Sequence, residues 1–213
     1  MTDETRLRDQ ITRVGASLFA RGLTAGSSGN ISVRLPDGGW LMTPTNVSLG
    51  NLDPARLAHF DAGGRMLSGD APTKEAFLHF SMYSERGDAQ AVVHLHSSHA
   101  TAVSILRDVD PADVMPALTA YYIMRVGRLP LVPYFAPGDP DLAHAVRALA
   151  GHHHAVLLAN HGPVVAGTSL DNAQYAVEEL EEAAKLFLLL QNQALRTLTP
   201  DQVADLRKRF SLS

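Results

Sequence analysis

The run Ala91-Val92-Val93-His94-Leu95-His96 constrains this chain more than any other stretch. Three small or β-branched apolar residues read as a short buried strand. Side chains alternate faces along a strand, so His94 and His96 present their imidazoles to the same side. A third histidine, His161, closes a second apolar segment, Leu157-Leu158-Ala159-Asn160-His161-Gly162-Pro163. Two imidazoles on one face and one from a second strand can form a three-His site with an open fourth position, as a catalytic divalent metal requires. The His-X-His dipeptide alone is equally at home as two ordinary polar residues. The chain has no cysteine, so any metal must be held by imidazole, carboxylate or water.

The remaining segments alternate helix and strand patterns. Leu7, Ile11, Val14, Leu18 and Phe19 fall at helical spacing over residues 4 to 21, with Gly22 as the stop. Gly26-Ser27-Ser28-Gly29-Asn30 forms a small, donor-rich loop before a strand from Ile31 to Leu35. Asp37-Gly38-Gly39 turns the chain into a second strand, Trp40 to Thr43, and a polar turn follows at Thr43-Pro44-Thr45-Asn46. Such a Gly/Ser loop can wrap an anion with backbone N–H groups, or simply turn. Residues 59 to 67 read as a further hairpin.

A helix is expected from Pro72 or Thr73, with Thr73 as N-cap and Phe77, Leu78 and Met82 as its apolar stripe. Lys74 and Glu75 then lie in its first turn, where an acidic residue serves as a dipole partner or as a proton carrier. His79, four residues on, could orient Glu75 or sit in the core or on the surface. A helix from His99 to Leu106 is expected to be capped by Ser97 or Ser98. Leu129 to Tyr134 reads as a strand, Pro140 to Ala150 as a helix and Ala155 to Ala159 as a buried strand, with Val164 to Ala166 continuing as another. Residues 169 to 195 form the longest helix, its run Glu178-Glu179-Glu181-Glu182 expected to be solvated, as is the triplet His152-His153-His154. A short amphipathic segment, Pro200 to Phe210, closes the chain.

At 213 residues and 46% hydrophobic, one domain over 1–213 is expected. A net charge of −4 does not suggest a nucleic-acid or acidic-membrane surface. No run reads as a membrane span, and the charged start (Asp3, Glu4, Arg6, Arg8) lacks the apolar core of an export signal. The expectation is a cytoplasmic protein.

Taken together, Gly26 to Ser32, Leu41 to Thr45, Pro72 to Glu75, Val93 to His96 and Asn160 to Gly162 resemble, in order, the class II aldolase/adducin family. Within it the likeness is greatest to the subgroup that decarboxylates 3-oxo-tetronate 4-phosphates, on Leu67 to Glu75, Ala91 to Ser97, Met124 to Tyr134 with Pro137-Gly138-Asp139, Leu157 to Val165 and Glu178 to Leu186. The resemblance implies a three-layer α/β/α sandwich with a mainly antiparallel central sheet, and a homotetramer. It implies Zn²⁺ or another divalent ion, one per subunit, on His94, His96 and His161. Glu75 matches the acid/base carboxylate, which can also touch the metal before substrate arrives. Gly29 and Asn30, Thr45 and Asn46, and Thr73 and Lys74 match three turns that hold the substrate's phosphate end. Asn46 and Lys74 depart from the aldolase pattern. Tyr121 roughly matches a catalytic tyrosine that reaches a neighbouring subunit's site.

The reaction so implied is loss of CO₂ from a small phosphorylated sugar acid, through a metal-stabilised enediolate, to give dihydroxyacetone phosphate. A sugar-phosphate aldolase or 4-epimerase would use the same metal with another leaving group. A non-catalytic, adducin-like binding module would be expected to lack the histidines.

Overall fold

A computed structural model describes residues 2–136 and 138–210; Pro137 of the Pro137-Gly138-Asp139 motif lies outside them. The helices are α1 (Asp3–Ala20), α2 (Ala76–Glu85), α3 (Ser98–Ile105), α4 (Ala120–Arg125), α5 (Pro140–Ala150), α6 (Leu170–Leu189) and α7 (Pro200–Phe210). The strands are β1 (Asn30–Arg34), β2 (Trp40–Met42), β3 (Ala58–Phe60), β4 (Met66–Ser68), β5 (Ala91–His94), β6 (Leu131–Val132), β7 (Ala155–Leu158) and β8 (Gly162–Gly167). They form one sheet in the order β4-β3-β2-β1-β5-β8-β7-β6. Among the described residues only β6 and β7 pair in parallel, so the sheet is mixed and mostly antiparallel.

Strand alternation divides the core. Ile31, Val33, Val93, Leu157 and Val165 pack with Ile11 and Leu18 of α1, Val103 of α3 and Val177 and Leu180 of α6. Their neighbours Val92, Val156, Leu158 and Val164 pack with Leu78 and Met82 of α2 and Leu142 and Val146 of α5. Helices therefore flank the central strands, which explains why β5, β7 and β8 read as nearly unbroken apolar runs. Each such fully buried side chain contributes roughly 1.5–3 kcal/mol relative to exposure. No helix among the described residues is long and apolar enough to cross a membrane.

Several expectations are corrected. The strand expected from Leu129 to Tyr134 shrinks to two residues because Pro130 and Pro133, one on each side, have no N–H to give a ladder. The longest helix stops at Leu189, before three consecutive turn residues and Asn192 at φ 66°. Helix α2 starts at Ala76, so Lys74 and Glu75 precede its first turn. Thr73 holds that turn instead, its Oγ1 accepting from the Glu75 N–H at 3.2 Å.

The acidic run of α6 is not a uniform solvated face. Glu182 is exposed, but Glu178 pairs with Arg21 and Glu181 is buried. Glu181 accepts from the backbone N–H groups of His99 and Ala100, at 2.9 Å each, and so caps α3 from across the fold. Ser97 occupies the cap position, but its buried Oγ has no hydrogen-bond partner among the described residues. Of the histidine triplet, His152 is exposed, while His154 turns inward and bonds the Arg125 carbonyl at 2.9 Å.

Candidate metal centre

The central strands bring the three histidines together. His94 ends β5, and β5 pairs with β8 in a register that sets His94 opposite Val164. Its Nδ1 lies 2.8 Å from the Pro163 carbonyl, which can only accept, so Nδ1 carries the proton and Nε2 presents a lone pair. His96 follows just past the strand end. His161 sits in the tight turn joining β7 to β8, where Asn160 adopts φ 57°. A Cβ on the next residue, Gly162, would collide with the Leu95 carbonyl; glycine there lets the His161 turn close onto the His94-His96 segment. Thr101 Oγ1 of α3 donates to the His161 carbonyl at 2.9 Å and steadies the turn.

The three Nε2 atoms form a triangle with sides of 3.1 Å (His94–His96), 3.3 Å (His94–His161) and 3.0 Å (His96–His161). Glu75 closes a fourth corner, with Oε1 3.0 Å from His161 Nε2 and Oε2 3.4 Å from His94 Nε2. Ligand atoms from all four residues lie within 4.8 Å of one another. Nitrogens bound tetrahedrally to one ion at 2.0–2.1 Å would be separated by about 3.3 Å. The observed spacing fits that edge. Burial, then the neighbouring His94 and His161, lower the pKa of His96 to about 4, so its ring is neutral and able to ligate at neutral pH. Burial pushes the Glu75 carboxyl up, but contacts with His161 and His94 and the Asn30 amide outweigh it and leave the group well below the usual carboxylate range.

His96, His161 and Glu75 lie at one side of a cleft of about 810 Å³; buried His94 stands behind them. The same cleft is lined by Ser28, Gly29, Thr45, Asn46, Thr73 and Lys74, so all three donor-rich turns open onto it. Thr45 N–H donates to the Ala71 carbonyl and Thr73 N–H to the Thr43 carbonyl, tying the second turn to the third. Gly29 has φ 80°, and a Cβ there would press on the His94 carbonyl at 3.1 Å. Asn30 lines the cleft, but its amide donates to Glu75 Oε2 at 2.8 Å. Tyr121 is not in this cleft: it is 64% exposed on α4, beside Arg125 and Tyr175.

Phe77 reads from the sequence as a core residue of α2 and Tyr134 as the end of a strand; with Phe135 they supply the cleft's apolar wall, and Thr101 also lines it. Nothing in their local spacing marks them for the cleft. His79, to which the sequence assigns no single role, is fully buried and bonded to Asn30; its signal is the one-turn spacing of Glu75, His79 and Tyr83.

Fold and site together define a class. The pattern described as Class II Aldolase and Adducin N-terminal domain matches residues 9–188, and the chain belongs to that family. More particularly, it is similar to the 3-oxo-tetronate 4-phosphate decarboxylase of Escherichia coli strain K12, 48% identical over 96% of this chain and 96% of that protein. A crystal structure of the Escherichia coli protein YgbL superposes with a TM-score of 0.94 at 47% identity, covering 97% of this chain and all of that one. The L-fuculose phosphate aldolase of the same organism is 32% identical over 98% of this chain and 95% of its own.

Proposed function

We propose that this chain decarboxylates a 3-oxo-tetronate 4-phosphate to dihydroxyacetone phosphate and CO₂. The observation that carries the reading is the convergence of three imidazole nitrogens and one carboxylate at the side of a cleft otherwise lined by donor-rich turns. In this reading His94, His96 and His161 hold a divalent cation of the kind imidazole suits, Zn²⁺ or another first-row ion. Bound there, the ion supplies a Lewis acid for the electron pair left when the bond between C1 and C2 breaks.

The chain's own groups do the rest. Thr45, Asn46, Thr73 and Gly29 surround the phosphate end, and Lys74 adds the cation that a dianionic phosphate needs. Lys74 serves the phosphate better than the carboxylate, because a carboxylate gripped tightly is stabilised before CO₂ leaves and not as it leaves. Each turnover consumes one proton. Glu75, a quarter exposed at its side chain, takes it from the open cleft and passes it to C2. The wider reading is one three-layer α/β/α domain over residues 1–213, working in the cytoplasm as a homotetramer in which Tyr121 reaches a neighbour's cleft.

The 32% identity to a fuculose-phosphate aldolase keeps aldehyde release as the second reading. One experiment separates them: both C2 stereoisomers of the 3-oxo-tetronate 4-phosphate, and a panel of aldol substrates, are offered with and without chelator. Chelator-sensitive release of CO₂ with equimolar dihydroxyacetone phosphate is expected. Aldol cleavage without CO₂ would transfer the assignment to the aldolase.

A further inference from the structure

A row of buried polar side chains runs behind Glu75. Asn30 and Ser32, two apart on β1, share one face of the strand; Glu75, His79 and Tyr83, four apart, share one face of α2 and the residue that caps it. The two rows meet. Asn30 Nδ2 lies 2.8 Å from Glu75 Oε2, Asn30 Oδ1 2.5 Å from His79 Nε2, Ser32 Oγ 2.7 Å from His79 Nδ1 and 2.8 Å from the Tyr83 hydroxyl. Asn30, Ser32, His79 and Tyr83 are each at most 4% exposed, so water cannot stand in for a missing partner.

The direction of every hydrogen bond follows from one end. An ionised Glu75 only accepts, so Asn30 must turn its NH₂ toward it and its carbonyl oxygen toward His79. That oxygen only accepts, so His79 must carry its proton on Nε2. The bare Nδ1 then accepts from Ser32, whose oxygen is free to accept from Tyr83. An asparagine amide has nearly the same shape either way round, so shape alone does not orient Asn30, and the carboxylate's own preference for the N–H weakens whenever Glu75 carries a proton. Leu78 and Met82 on the same helix show that this layer can be packed with apolar side chains. A fully satisfied polar row in their midst fixes one arrangement and no other.

We infer that His79 is a positioning residue for the proposed decarboxylation: as a neutral Nε2–H donor, it locks the Asn30 amide so that an N–H always faces Glu75 and holds that carboxylate in line for proton delivery. Burial, then the nearby His94, keep the ring neutral, lowering its pKa to about 3. The role rests on the decarboxylase reading for its reaction, but the locked tautomer does not depend on any substrate.

The test has two arms. In the first, ¹⁵N-histidine NMR of the wild-type chain with its metal reads the tautomer, with the His79 signal assigned by its loss in His79→Gln. Protonated Nε2 and bare Nδ1 are expected; a proton on Nδ1 overturns the inference. In the second, His79→Phe, which keeps a flat ring and loses the donor, is compared with His79→Gln, whose amide can restore it. Expected for His79→Phe are a kcat at least tenfold lower, a KM within twofold and an unchanged bound-metal content, with His79→Gln recovering most of the rate. Equal kcat in wild type and His79→Phe, or parallel loss of metal and rate in both variants, overturns it. If the wild type releases no CO₂ from any substrate, the function reading fails while the NMR arm still decides the tautomer.

Discussion

Two carboxylates lie buried or half-buried beside histidines, and they are not alike. Glu181 is surrounded by N–H groups: the backbone of His99 and Ala100 at 2.9 Å, and His99 Nδ1 at 2.8 Å. Its charge is fully answered by donors, and it does one thing, capping α3 across the core. Glu75 also leads into a helix, yet makes no cap bond. It faces imidazole nitrogens, of which at least His94 Nε2 presents a lone pair where a donor would be needed. A carboxylate ringed by donors is complete. A carboxylate that has one amide donor, from Asn30, and otherwise faces imidazole nitrogens is short of a cation, and that shortage marks the functional site.

The sharpest way to break this contrast is to remove a lone pair. His94→Ala is expected to abolish stoichiometric divalent-metal binding and to cut kcat about a thousandfold or more, on the order of 4 kcal/mol of charge stabilisation. Metal analysis and the CO₂ assay read it; retention of one ion per chain would end the three-His assignment. Glu75→Gln is expected to cost about 10²–10⁴ in kcat while metal remains, because the proton carrier is lost and the imidazoles stay. If Glu75→Gln instead lost the ion and the rate together, and excess metal restored both, Glu75 would be a ligand alone.

Glu181→Ala should do the reverse. It strands two backbone N–H groups and the His99 ring, so a loss of about 2 kcal/mol is expected, lowering Tm by on the order of 5 °C. Metal content and kcat should hold. A fall in metal binding with no change in Tm would mean that the two carboxylates are not separable in the way described.

How much of this was legible in the sequence follows from range. The His94-His96 pair, the donor-rich turns and the buried strands are local patterns of period two or of turn chemistry, and each was readable from a few consecutive residues. The cap on α3 was not, because its donor groups and its acceptor are about eighty residues apart and only packing of α6 on α3 brings them together. The start of α2 lies later than its sequence suggests because Thr73 can cap a helix or close a turn, and here its N–H is held by the Thr43 carbonyl while its Oγ1 accepts from the Glu75 N–H, which closes the turn. His79 was ambiguous for the same reason: its partners Asn30 and Ser32 sit on β1, and nothing near His79 in the chain names them.

The smallest effect concerns the histidines themselves. His99 points its Nδ1 at a carboxylate, 2.8 Å away, whereas His79 serves an amide oxygen in a fully buried site. Burial, with His94 nearby, lowers the His79 pKa from 6.5 to about 3. Its folded value lies below its unfolded one, so the stability it contributes is full above about pH 6.5 and is lost as pH falls toward 3, because the unfolded chain takes up a proton that the folded chain rejects. From that linkage the wild-type chain, stripped of metal, should lose about 1 kcal/mol between pH 6.5 and 5.5 through this group. His96, lowered for similar reasons, adds to the wild-type slope and remains in His79→Gln, so the difference between the two denaturation series isolates His79. Equal slopes in both would show that His79 titrates freely, and that the row behind Glu75 is held less tightly than the cap on α3.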